Sequence, residues 1–288
     1  LITAETQANA LDYELVQFTD TVTNDVFHGL REQLDQNSQQ TRGWGSFFIN
    51  LSYAANALIE MPHPRFDTNS WDIGAKIFRQ SKARAALMAG AHRNTNGQGT
   101  ADVAHLSNSV FHEVHKAWNG INAEITAWQI HGFNGANHPG FPVGTDVVLS
   151  SGDGGVSSNV VALDGLFDST LDSGGTLLLS HAYDSLADND PLNILVNDSE
   201  SGMTFSDLGG TTNVQGIYSR GLGGKFVHVE LEQSIRFNAV NRDIAADVIT
   251  QAIVSVPEPS TMVLLLIGCV GICFFVIKGQ SMIYLKCL

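Results

Sequence analysis

The sequence predicts an α/β fold: a three-layer domain with a mostly parallel, mixed central sheet, plus a C-terminal transmembrane helix. Three observations predict it. Strand and helix signals alternate from Gly43 to Ile249, which calls for a sheet covered by helices. Several strand-like runs are short and apolar, as expected of strands buried within a domain. Residues 262–277 then form an uncharged apolar run, about 25 Å long as a helix and slightly short of a bilayer core. The chain therefore divides into a domain over 1–252 and a tail over 253–288, with the transmembrane helix at 261–277.

Taken in order, residues 1–40 are polar and read as helical, and residues 43–49 read as the first strand. Residues 58–61 are a short apolar run closed by Pro62-His63-Pro64, a strand ending in a turn. Ser70 suits the cap of a helix with Ile73, Ile77 and Phe78 on one face. Residues 83–91 form a small-residue strand, and Val110, Phe111, Val114 and Trp118 repeat at helical spacing. Residues 125–130 and 147–149 are strands. A helix carrying Val160, Val161, Leu163 and Leu166 precedes a strand at 177–179. Residues 226–231 form a further strand, and Val240, Ile244, Val248 and Ile249 mark the closing helix.

Composition narrows the function. A net charge of −14 is the opposite of the basic footprint that a phosphate backbone requires, which excludes nucleic-acid binding. All three cysteines (Cys269, Cys273 and Cys287) lie in or beyond the apolar run, so a metal in the domain must be held by His and carboxylate. Residues 1–20 have neither a basic start nor an apolar run, which reads as a processed or truncated beginning. There is no Gly-x-Ser-x-Gly elbow, which disfavours a serine hydrolase.

In a sheet of this kind, sites form at the carboxyl ends of strands. Three predicted strands end in reactive residues: Pro62-His63-Pro64-Arg65-Phe66-Asp67, Gly90-Ala91-His92-Arg93 and Gln129-Ile130-His131-Gly132. Two of these histidines and the carboxylate of Asp67 would fill three corners of a zinc tetrahedron and leave the fourth for water. Arg93, following an apolar strand, offers a planar fork for a substrate carboxylate. On the strand 226–231, His228 and Glu230 share one face with Glu232 just beyond, which means either an edge facing water or the lining of a cleft. The cleft makes Glu230 the candidate general base. Asp102 and His105 form a second cluster, and His112 and His115 read as solvated or as supporting the site. The loop 209–216 lacks the Lys of a phosphate loop and reads as cleft lining.

These motifs over residues 43–237 resemble those of the N-formylglutamate amidohydrolases and, more distantly, the zinc carboxypeptidases and poly-γ-glutamate hydrolases. The resemblance implies a phosphorylase/hydrolase-like fold and metal-dependent cleavage of a small acidic amide or peptide-like substrate. It matches His63 to the first zinc ligand, Asp67 to the acidic ligand and His131 to the later His, with Gln129 and Gly132 departing from that motif's Asp and Ser. It matches Arg93 to the substrate-carboxylate residue and Glu230 to the base. The tail, Val256-Pro257-Glu258-Pro259-Ser260-Thr261 ahead of the apolar run, resembles the PEP-CTERM sorting signal, with Lys278 and Lys286 in place of the usual Arg cluster. That resemblance implies an envelope protein, membrane-anchored until an exosortase-type protease acts at Pro257, Glu258 and Pro259, and then surface-bound or extracellular. The alternative is a non-catalytic surface or matrix protein with a hydrolase-like fold.

Overall fold

A computed structural model describes residues 2–97, 99–121, 124–153, 156–182, 208–255, 277–278 and 281–282. The chain separates into two units, Leu1–Val254 and Ser255–Leu288. In the first unit, nine strands pair into a single sheet. Its centre consists of β4 (Ala55–Met61), β5 (Ala83–Met88), β6 (Thr126–Gly132) and β9 (Lys225–Leu231). These run parallel in the spatial order β5-β4-β6-β9. On one side β1 (Tyr13–Thr19), β2 (Val26–Glu32) and β3 (Ser46–Asn50) extend the sheet antiparallel. On the other, β7 (Thr145–Ser150) pairs antiparallel with β9 and parallel with β8 (Leu179–Ala182).

Among the described residues the sheet thus has four parallel and four antiparallel pairings, which corrects the expectation of a mostly parallel one. Much of the difference comes from the N-terminal 40 residues. They were expected to be helical, yet only α1 (Ile2–Ala10) is, and β1 and β2 follow as an antiparallel pair. The reversal between them is built on Asp20, whose carboxylate accepts the backbone N–H groups of Val22 and Thr23, while Asn24 takes φ 60°. Burial alternates along β2, as a half-buried strand requires.

Apolar residues fill both faces. On one, α2 (Ser70–Gln80), α4 (Ser158–Asp168) and α7 (Ala239–Ser255) pack Ile73, Ile77, Leu163, Phe167, Ala245 and Ile249 against Ile59, Trp128, Val227 and Val229. On the other, Phe111 of α3 (Val110–Ile121) packs with Leu58, Ala127, Phe226 and the stacked Tyr13 and Phe47. Each fully buried Ile or Phe contributes about 1.5–3 kcal/mol. α2 begins one residue earlier than a Ser70 cap requires: Asn69, at φ 70°, occupies the cap and donates to the Arg236 carbonyl.

The transmembrane helix also needs correction. No helix among the described residues is long and apolar enough to cross a membrane. Ile277, where that helix was expected to end, lies instead in β10 (Ile277–Lys278), paired antiparallel with β11 (Ser281–Met282). Residues 256–276, including Pro257, Glu258 and Pro259, lie outside the described residues.

Candidate metal centre

The α3-side face of the central strands changes character along their length. Its first row is apolar, with Leu58, Ala127 and Phe226 side by side. Two residues further on, Glu60, Gln129 and His228 form a buried polar row. Two residues beyond that, His131 of β6 lies beside Glu230 of β9, and β4 gives way to Pro62-His63. The period of two along a strand keeps all three rows on one face, so the candidate site grows directly out of the core.

His63 and Asp67 are brought together by a single turn. The His63 carbonyl accepts the N–H groups of Phe66 and Asp67, at 3.0 and 2.7 Å. This i to i+4 closure stacks the two side chains. Asp67 Oδ2 then lies 3.7 Å from His63 Nδ1 and 3.2 Å from His131 Nδ1. Ligands on a tetrahedral zinc stand about 3.3 Å apart, given bonds of roughly 2.0–2.1 Å. All three side chains are buried.

The far nitrogens show which atoms are bare. His63 Nε2 donates to Asp102 Oδ1 at 2.7 Å, and His131 Nε2 to Gln129 Oε1 at 2.8 Å. A neutral imidazole with its proton on Nε2 turns a lone pair outward from Nδ1. With both rings in that form, two lone pairs and a carboxylate oxygen converge on one point. Asp67 Oδ2 accepts no hydrogen bond there, so its contact with His131 is one of proximity and charge rather than of an aimed N–H. Leaving a buried carboxylate oxygen unmet costs about 1–3 kcal/mol or more, which a cation at that point would repay. The residues fit a metal. The histidines' outer contacts to a carboxylate and an amide oxygen are also those that metal-binding imidazoles make.

Charge is distributed accordingly. Burial pushes the Asp67 carboxyl up, but the adjacent imidazoles of His131 and His63 outweigh it and hold Asp67 well below the usual carboxylate range. Burial pulls His63 down, yet its contacts with Asp102 and Asp67 leave it raised. His131 and His228 are lowered, chiefly by burial, with a further contribution from their histidine neighbours. Burial raises Asp102 less than His105, His63 and Arg93 lower it, so it stays ionised.

The structure brings His63, Asp67, His131, Arg93 and Glu230 to one cleft of about 400 Å3, floored by Arg236 and walled by Phe66, Phe133 and Phe237. A second lobe of about 300 Å3 reaches His105, Thr212 and Gly210 and shares His63, Arg93, His131 and Glu230. Residues 209–213 of the loop expected at 209–216 line this lobe, while 214–216 are helical. Glu230 is buried on an interior strand, which removes the water-facing-edge reading. Its Oε1 lies 3.7 Å from His228 Nε2, and His131, His228 and Glu230 form a second group with metal-holding geometry. Glu232 falls past the end of β9. It caps α6 (Gln233–Phe237) through the Ser234 N–H and also accepts the Gly135 N–H. Arg93 pairs with Asp102, and its other terminal nitrogen lies 3.5 Å from His63 Nδ1. Its guanidinium lies against His63 Nδ1, so it must move aside for a cation to bind that nitrogen.

Several residues are placed differently from the sequence reading, and Arg236 was not part of it. Asp102 joins His63, His105 and Arg93 rather than forming a separate cluster. His112 and His115 are buried, not solvated; His115 Nδ1 lies 2.7 Å from Glu60 Oε1, and burial pulls His112 down to about 4. Arg236 donates to the carbonyls of Leu231, Thr68 and Phe133, tying three site loops together. It also explains the absence of a side chain at Gly132. A Cβ there would lie 2.1 Å from Arg236 Nε, so any larger residue forces the guanidinium away, at a cost of about 1–3 kcal/mol.

No family model matches the chain, and no curated protein does. Among solved structures it is similar to a gene product of Agrobacterium tumefaciens, with TM-score 0.45 and 11% identity over 72% of this chain and 94% of that one. It is also similar to a candidate metallopeptidase of Shewanella denitrificans, with TM-score 0.36 and 10% identity over 94% and 88% of the two chains. Likenesses this distant carry no functional weight, and the site stands on its own geometry.

Proposed function

We propose that the chain is a zinc-dependent hydrolase that cleaves an amide bond next to a carboxylate-bearing group. The observation that carries this reading is the convergence of His63 Nδ1, His131 Nδ1 and Asp67 Oδ2, all three side chains buried and Asp67 Oδ2 without a hydrogen-bond partner. Two His and one carboxylate leave a coordination position open, as catalytic sites do. When bound, the metal supplies Lewis acidity at the scissile carbonyl. Glu230, beside His131 at the head of the cleft, takes the proton of the attacking water and returns it to the leaving amine. Arg93, turned from Asp102, orients the substrate carboxylate, and Phe66, Phe133 and Phe237 exclude bulk water around it.

Elemental analysis of the full chain, purified and loaded with zinc, tests the reading. About one zinc per chain is expected to survive dialysis, together with hydrolysis of N-acyl or γ-linked acidic amides. A chain that retains no metal after loading sinks it.

The Pro257-Glu258-Pro259 motif supports a second part of the proposal, that the enzyme works outside the cytoplasm after processing at that motif. In a host with such a sorting protease, the intact mass of the exported protein is expected to end near residue 257. A mass that includes Leu288 argues against processing there.

A further inference from the structure

We propose that Glu60 and Gln129 form a positioning relay that holds His131 in its Nε2–H tautomer and so leaves Nδ1 bare for the metal. The inference rests on the metal-site reading above, but its test can be read without metal. Glu60 is wholly buried and lies beneath the cleft, one row below His131. Both its oxygens are engaged: Oε1 with His115 Nδ1 at 2.7 Å and Oε2 with Gln129 Nε2 at 2.9 Å. Only the amide's N–H group can face that carboxylate, so the carbonyl end of Gln129 must face His131.

A second constraint, independent of Glu60, gives the same orientation. Asn213 caps α5 (Val214–Gly221) with Oδ1, which accepts the N–H groups of Gln215 and Gly216 at 3.0 and 3.1 Å. Its side-chain Nδ2 is thereby committed to donating, and it donates to Gln129 Oε1. Gln129 Oε1 is thus an acceptor facing His131 Nε2 at 2.8 Å, and that nitrogen must carry the proton. Gln129, a departure from the Asp of the resembled motif, still supplies the acceptor the imidazole needs. Glu60 supplies the negative charge one residue further from the metal.

The test is 15N NMR of metal-free full chain with labelled histidine, the His131 resonances being assigned by their loss in His131→Ala. The unmutated protein is expected to hold His131 as Nε2–H. Gln129→Met, which removes the acceptor, is expected to release the tautomer and to lower zinc affinity roughly 10- to 100-fold, the usual effect of losing such a contact. Exchanging the pair, Glu60→Gln with Gln129→Glu, keeps one carboxylate and one amide donor and should restore both properties. His131 as Nδ1–H in the unmutated protein, or an unchanged Nε2–H tautomer in Gln129→Met, overturns the relay. If Gln129→Met does not fold, the unmutated and exchanged proteins decide, and Nδ1–H in either overturns it. A chain that binds no zinc yet holds Nε2–H removes the metal reading and supports the relay.

Discussion

His131→Ala or His63→Ala is expected to reduce bound zinc from about one per chain to a trace after dialysis, with hydrolysis lost alongside it. Each substitution removes one of the two neutral nitrogens that accompany Asp67 Oδ2, and a site left with two ligands does not retain zinc. His28→Ala, on β2 away from the cleft, serves as the comparison and should keep its metal. Metal content measured on all three proteins, with circular dichroism to confirm folding, decides the matter. Full zinc retention in His63→Ala with loss in His131→Ala would move the centre to the group formed by His131, His228 and Glu230, and full retention in both variants would exclude both groups.

Glu230→Gln is expected to keep zinc and fold while lowering turnover about 10²- to 10⁴-fold, the contribution of a positioned general base. The substitution preserves shape and removes the proton-accepting charge. Glu232→Gln, at the N-cap of α6 one residue past β9 rather than in the cleft, perturbs that cap and should change turnover little. Single-turnover rates for the two variants separate the roles. A Glu230→Gln enzyme with unchanged turnover would leave the base unidentified.

How far the sequence reveals this site can be traced residue by residue. His63 and His131 were legible because each closes an apolar run, and a run that ends in His at a strand tip has few structural uses. Asp67 was legible through its four-residue offset, which becomes contact once the chain makes one turn after Pro62. Asp102 was seen but misplaced, since its loop returns to His63 from 39 residues away without any periodic signal. Arg236 and Glu60 were missed altogether. One lies on a short helix after the last strand, the other inside an otherwise apolar strand, and only the register of β4 against β6 shows what Glu60 touches. β1 and β2 were hidden for a different reason. β1 at the sheet margin and β2 beside it carry polar residues among their apolar ones, and this mixture resembles a polar helix until the Asp20 reversal is recognised.

The position of β5, β4, β6 and β9 within the sheet has a further consequence for recognition. All four are flanked by other strands on both sides, and among the described residues the sheet's margins are β1 and β8. An extended polymer therefore cannot dock on the site strands as an added ladder member, because every main-chain donor and acceptor there is already spoken for. Selectivity must come from side chains at the strand tips and from the loops around them, Pro64–Asn69, Ala89–Ser109 and Phe133–Gly144 among them. Those loops can diverge in length and composition while the strands beneath stay fixed, so related chains with this framework could act on different substrates without rebuilding the core.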